Sequence, residues 1–299
     1  MDECPVTLDA AAIWDIRTPS HPGRVPGLSM AGFRDRVASA IDLPVIPFPA
    51  VTVAIDLSDR LVIETATGRH QGGNLVVGVA PDDVRVGAQG VEALQLRLSP
   101  VLAHAVFGAS PHLTGTVITL DDLWGHAAGR LQEQLRAASS WDERFTIAET
   151  ELARRYEAGW AVDPEVAFAW RRLARTRGQI RIGQLAAEAE WSRKRLWSRF
   201  RSQTGLTPKH AARLVRFDHA AHRLASGHSP AWVAAECGYA DQPHLHRDAL
   251  DFAGLTPAAI AVAPWLAVDD VAWPTPAYVR PPVAGRARDI SPIHRAPRS

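Results

Sequence analysis

Only two cysteines, Cys4 and Cys237, occur in 299 residues. They lie far apart, so no disulfide framework is expected, and Cys237 reads as a small buried hydrophobe. No run of about 18 apolar residues is present, which excludes a helical membrane span. The opening MDECPVTLDAAAIWD is acidic where a secretory signal needs a basic region, so the expected location is the cytoplasm, on the nucleoid when DNA is bound. Chemistry-bearing motifs are equally scarce. ATGRHQGGN lacks the lysine and the helix start of a phosphate-binding loop. HAVFGAS is not a nucleophile elbow. His70, His104, His112 and His126 are scattered, with no His-x-His among the strands. The pairs His219/His222 and His244/His246 lack cysteine or carboxylate support at ligand spacing. No catalytic residue, metal or cofactor is therefore expected.

What is there is a charge split. The formal net charge of +1 hides an acidic half and a basic half. Residues 1–164 carry 13 Arg against 21 Asp and Glu, whereas residues 165–260 carry 15 Lys and Arg against 8 acids. Within the basic region, residues 179–225 hold 10 basic and 3 acidic groups. Such asymmetry suggests that one half meets a polyanion and the other does not.

The pattern along the chain divides it similarly. AVTVAIDL, RLVIET, NLVVGVA and VEALQLRL, between residues 40 and 120, are rich in Val, Ile and Leu and are separated by Gly, Pro and Asp. They predict a β-rich domain over 1–120, a cupin-like barrel or a sandwich. DDLWGHAAGRLQEQLRAA and WDERFTIAETELARRYEAG place apolar residues three and four apart, which predicts two helices joining that domain to the basic region. This connector, 121–164, could carry dimerisation. Trp14, Trp124, Trp141, Trp160 and Trp170 could line an apolar ligand pocket, although tryptophans at such spacing more commonly build a core. Residues 262–299, rich in Pro and Arg, predict a largely disordered tail.

The basic region contains a duplication. GLTP occurs at 205–208 and again at 254–257. Leu185, Ala186, Ala187, Glu188, Ala189 and Trp191 align with Val233, Ala234, Ala235, Glu236, Cys237 and Tyr239 at an offset of 48. In the first copy IGQLAAEA predicts a short helix with Leu185 and Ala186 inward. Ser192 then caps a helix from Arg193 to Thr204 that buries Leu196 and Phe200 and presents Arg193, Lys194, Trp197, Ser198 and Arg201. Gly205 ends it, and Thr207-Pro208 starts the next. In the second copy Ser229-Pro230 opens a helix and Gly238 ends it. Asp241 caps the following helix, Leu245 packs inward, and Gln242, His246 and Arg247 face outward. Pro208 to Ala225 reads as one continuous spacer helix with Leu214, Phe217 and Leu224 buried. Two short helices, a tight turn and a second helix with a basic face make a helix-turn-helix, of a size to enter a major groove. Two such units on a rigid spacer would meet successive major-groove segments on one side of a duplex.

Residues 166–260 resemble the DNA-binding domain of the AraC/XylS family of transcriptional regulators. The stretch from the second small-residue helix through GYADQPHLHR to FAGLTP carries the resemblance, with LAAEAEWSRKRLWSRFRSQTGLTP as its first-half counterpart. LRLSPVLAHAVFGASP and ITLDDLWG are similar to the sensory half of one branch of that family. The resemblance implies an α+β chain: a β-rich sensor domain, a helical connector, and an all-α domain with two helix-turn-helix motifs over 165–261. It implies base-reading positions at Arg193, Lys194, Trp197 and Ser198 and at Gln242, His246 and Arg247, with Arg201 toward phosphates. Ala249, Leu250 and Asp251 depart from the family pattern, and Asp248 adds negative charge. The first unit is therefore expected to supply most of the affinity. The implied partners are promoter DNA, RNA polymerase, a small effector of unknown site on the N-terminal half, and a second copy of the chain. An enzyme with a catalytic barrel localised by the DNA-binding domain is the alternative. A sequence-blind architectural protein is disfavoured by the acidic second copy.

Overall fold

The computed structural model describes residues 13–21, 23–36, 41–66, 68–80, 83–108 and 110–274. Cys4 lies outside them. Among the described residues, ten strands form two antiparallel sheets: β1 (Trp14–Arg17), β2 (Leu28–Asp35), β3 (Ile41–Pro44), β4 (Val51–Asp56), β5 (Val62–Thr65), β6 (Gly68–Gln71), β7 (Asn74–Val77), β8 (Arg85–Ala88), β9 (Glu92–Leu98) and β10 (Val117–Thr119). One sheet has the order β1-β2-β9-β4-β7-β10, the other β3-β8-β5-β6. The four quoted strand runs correspond to β4, β5, β7 and β9.

Strand β4 explains why the larger sheet reads as apolar rather than alternating. All six of its residues are buried. Val51, Val53 and Ile55 point outward into a layer of helices, while Ala54 points into the space between the sheets. That layer is α1 (Pro100–Phe107), α2 (Ser110–Leu113), α3 (Leu120–Trp124), α4 (His126–Ala137) and α5 (Trp141–Ala158). Leu131, Leu135, Phe145, Ala148 and Leu152 join Val53 and Ile55 in one core. The predicted connector is thus a cover over the sheet, and its apolar face is occupied by its own chain. The first of the two predicted connector helices is broken in two at Gly125, whose φ of 54° ends α3. Helix α1 escaped the periodicity because PVLAHAVF is apolar nearly all round; Ser99 caps it by accepting from the Leu102 amide at 3.2 Å.

The basic region folds as α6 (Pro164–Arg175), α7 (Ile182–Glu188), α8 (Arg193–Thr204), α9 (Pro208–Ala225), α10 (Pro230–Glu236), α11 (Gln242–Ala253) and α12 (Pro257–Ala261). A further helix, α13 (Pro264–Ala272), corrects the reading of 262–299 as disordered as far as residue 274; residues 275–299 lie outside the described part. Pro264 starts α13, and Trp265, Leu266, Val268, Asp269 and Ala272 are buried. The Pro-rich composition concealed nine residues that have apolar partners on two sides. Val268, Ala272 and Trp273 pack with Phe33 and Ile63 of the β-domain, while Trp265 and Leu266 pack with Phe217 and Leu224 of α9.

One charged chain runs through this junction. Arg97 on β9 is buried and paired with Asp269 on α13. Its guanidinium lies 3.7 Å from the Phe48 ring centroid and 4.3 Å from that of Trp273. Across Asp269, His222 of α9 sits 3.3 Å away, with Asp270 at 2.9 Å and Asp218 at 3.8 Å. Burial alone would lower the His222 pKa, but hydrogen bonds to Asp269 and Asp270 and the Asp218 charge override it and raise it to about 11. A folded-state pKa raised this way gives stability that is complete below the ordinary value of 6.5 and is lost as pH rises toward 11. Urea unfolding should accordingly show wild type ahead of His222→Gln at pH 6, with the gap narrowing steadily toward pH 10. A gap independent of pH would mean that the imidazole is neutral.

Candidate nucleic-acid interface

The duplicated sequence builds duplicated capping. Ser192 accepts from the Arg195 amide at 3.2 Å and Asp241 from the His244 amide at 2.7 Å, opening α8 and α11. Gly205 and Gly254 close them in the left-handed region, at φ of 76° and 63°, which a side chain would disfavour. Thr207 and Thr256, each followed by Pro, restart the chain as α9 and α12. The repeated GLTP is a stop and a start. Between the units α9 runs unbroken from Pro208 to Ala225, with Leu214, Phe217 and Leu224 buried as predicted.

Helix α8 is fixed from beneath. Leu196 and Phe200 are fully buried, and Phe200 stacks on Trp170 of α6 at 6.2 Å. Arg199 makes two hydrogen bonds to Asp163, at 2.6 and 2.8 Å, and Gln203 accepts from the Asp163 amide. The side chain of Asp163 is held below the usual carboxylate range, first by Arg199. Helix α8 also packs on α1 and α2 of the N-terminal half. All five expected α8 residues, Arg193, Lys194, Trp197, Ser198 and Arg201, are exposed together. Arg193 reaches back over Gly183 of α7, where a Cβ would come within 2.6 Å of its Nη2. Trp197 is 47% exposed, so it is not a packing residue. The Arg201 guanidinium lies 5.3 Å from the Trp197 ring, which makes the two a unit.

In the second unit Gln242, His246 and Arg247 are exposed. His244 faces inward instead, edge-on to Tyr239 at 5.1 Å. Asp248 requires a correction: it is 2% exposed and cannot add negative charge to the reading face. Arg213 of α9 donates to it at 2.7 Å, Arg216 lies 3.7 Å away, and Arg213 also bonds Asp251 at 2.8 Å. Two basic residues of the spacer are thereby held by α11 rather than presented to solvent.

Sequence reasoning passed over the cleft between the units. It is open, and Arg181, Lys209, Arg213, Arg216 and Arg247 line it together with Asp248 and Asp251. With Arg213 and Arg216 held by these acids, Arg181 and Lys209 are the added cations. Neither lies on a predicted reading helix: Arg181 precedes α7 and Lys209 is in the first turn of α9. Only the folding of both units against α9 brings them beside Arg247.

Among the described residues no group of three or more His, Cys, Asp or Glu side chains is placed to hold a metal, and no helix is long and apolar enough to cross a membrane. Cys237 is a buried free thiol whose pKa burial pushes up to about 11. None of the five tryptophans suggested for a pocket lines the inter-sheet space. Trp14 packs on Phe33, Trp124 on Phe107, Trp141 on Phe145 and Trp170 on Phe200, while Trp160 is 65% exposed. The tryptophan that does line it is Trp265.

Two exposed helices, α8 and α11, each opened by a side-chain cap, closed by a left-handed glycine and separated by one unbroken helix, define a double helix-turn-helix domain. Residues 185–261 match the family described as a helix-turn-helix domain. With both copies, the spacer and the GYADQPHLHR stretch in place, this domain is a DNA-binding domain of the AraC type. No curated protein sequence matches it. Among solved structures, ToxT from Vibrio cholerae O395 is 8% identical with a TM-score of 0.44, over 79% of this chain and 98% of that one. Wild-type ToxT from strain SCE256 bound to an unsaturated fatty acid is 8% identical with a TM-score of 0.42, over 81% and 97%. The AraC-like transcriptional activator CuxR is 16% identical with a TM-score of 0.32, over 72% and 89%. Likeness of this order carries no argument about ligand or target.

Proposed function

We propose that the chain reads a promoter site with α8 and α11, works in the cytoplasm without catalysing a reaction, and answers to a small effector held by the N-terminal half. The observation that carries this reading is the exposed face of α8, with Arg193, Lys194, Trp197, Ser198 and Arg201 projecting from a helix anchored on its opposite side. An inserted helix of this kind distinguishes base pairs by hydrogen bonds and apolar contacts to their edges. The first unit gives most of the affinity, because the exposed face of α8 presents Arg193, Lys194 and Arg201 whereas α11 carries only Arg247. Arg201, Arg181 and Lys209 are assigned to phosphates. A second copy of the chain and RNA polymerase are the protein partners proposed.

Fluorescence anisotropy on genomic fragments tests the assignment. Arg193→Ala or Lys194→Ala should weaken binding to the cognate site by about 1–3 kcal/mol and relax its sequence preference. Lys209→Ala and Arg181→Ala should weaken all sequences alike and each reduce the salt slope by about 1. Weak binding of wild type, equal for every sequence, would defeat the reading. A loss of only a few tenths for both α8 variants would show that α8 is not the reading helix.

A further inference from the structure

Gly183 is a surprising residue at its position. It is the second residue of α7, a helix whose other members include Leu185, Ala186 and Ala187. A helix favours alanine over glycine. Glycine is often kept where the backbone must be left-handed, but Gly183 does not have a positive φ. No neighbouring backbone crowds it either. The three heavy atoms nearest the place a Cβ would occupy all belong to the Arg193 side chain: Nη2 at 2.6 Å, Cζ at 3.1 Å and Nε at 3.2 Å. The absent methyl thus makes room for one guanidinium.

The duplication supplies an internal comparison. Arg181 and Ser229, the residues before α7 and α10, correspond at the offset of 48, so Gly183 corresponds to Ala231. Ser192 and Asp241, the caps of α8 and α11, correspond one residue further apart, so Arg193 corresponds to Gln242. The unit whose second helix opens with arginine has glycine in its first helix. The unit whose second helix opens with glutamine has alanine there. None of the four residues is buried, so core packing does not dictate the choice.

We propose that Gly183 is a positioning residue for DNA recognition: it is the seat that sets the direction in which Arg193 leaves α8, and hence the base pair Arg193 selects. This role rests on the promoter-reading proposal above, in which Arg193 meets a base edge. A long side chain that is already placed loses less freedom on binding than one gathered from solvent. Arginine reads a base with a planar fork, so a displaced guanidinium loses discrimination as well as affinity. The guanidinium is the free end of an exposed side chain. It can swing away from a new methyl without disturbing the fold, so Gly183→Ala separates recognition from stability.

Full-length Gly183→Ala, Arg193→Ala and the double variant are compared with wild type by fluorescence anisotropy, on the cognate site and on its single-base-pair substitutions, with thermal unfolding alongside. Gly183→Ala should weaken cognate binding ~2–10-fold, the cost of ordering one long side chain. It should flatten the preference at the same base pair that Arg193→Ala flattens. The double variant should bind no more weakly than Arg193→Ala, and Gly183→Ala should melt no lower than wild type. In the free wild-type protein, NMR should show nuclear Overhauser contacts between the Gly183 Hα protons and the Arg193 side chain. Wild-type binding by Gly183→Ala, a preference lost at a different base pair, losses that multiply in the double variant, or missing contacts would overturn the proposal. A lowered melting temperature would overturn it too, by making the glycine structural. Unchanged affinity and preference in Arg193→Ala, with the contacts present, would leave the seat standing and strike the base-reading assignment instead.

Discussion

Asp269→Ala should destabilise the folded protein by about 3–5 kcal/mol, among the largest effects of any single substitution here. The reason is what it leaves behind. The Arg97 guanidinium is buried between the Phe48 and Trp273 rings, its Nε already has no hydrogen-bond partner, and Asp269 is the carboxylate it faces. Removing that carboxylate strands a cation in a low-dielectric site, which costs more than the pair itself contributed. His222 loses a partner as well. The protein can limit the loss only by undocking α13, and hydrogen exchange over 264–272 would then accelerate. Chemical denaturation should show the loss, and the double variant Arg97→Met, Asp269→Leu should restore much of it because both charges go together. If the single and double variants were equally unstable, burial of an unpaired charge would not be the cause.

Phe200→Ala should cost about 3–5 kcal/mol and abolish DNA reading by the first unit. The ring is fully buried, stacked on Trp170, and shares one core with Leu185, Leu196 and Leu214. Truncating it opens a cavity beneath α8, where α6, α7, α9, α1 and α2 cannot all close in. Trp197→Ala, three residues earlier on the same helix, should change stability by no more than about 0.5 kcal/mol, because that ring is largely in solvent. Thermal unfolding of the two variants side by side checks the contrast. Similar losses would mean that α8 is seated the other way round.

The DNA-binding half was legible because its signals are local. A cap, a left-handed glycine and a proline lie within a few residues of each other, and they repeat at Ser192 and Asp241, Gly205 and Gly254, Pro208 and Pro257. The strands richest in Val, Ile and Leu were legible for the same reason. What escaped depends on partners distant in sequence. Trp265 and Asp269 sit in a segment whose composition suggests disorder, and only Arg97, 172 residues earlier, and α9 give them a place. Asp248 looked like an intruder on a reading face because its burial depends on Arg213 and Arg216, a helix away. Strands β1, β3, β6 and β8 lack the Val, Ile and Leu runs that mark the equally short β5 and β7, and β10 has only three residues.

The seating of α8 on α1 and α2 has a consequence for how this chain could be divided. A fragment beginning at residue 165 would lose Asp163, the partner of Arg199 and Gln203, and would lay bare apolar surface under its own reading helix. Cutting after residue 261 would strip the roof from the inter-sheet space. The N-terminal and helix-turn-helix halves are each finished by a piece of the other, so neither is a module that can be lifted out and grafted elsewhere.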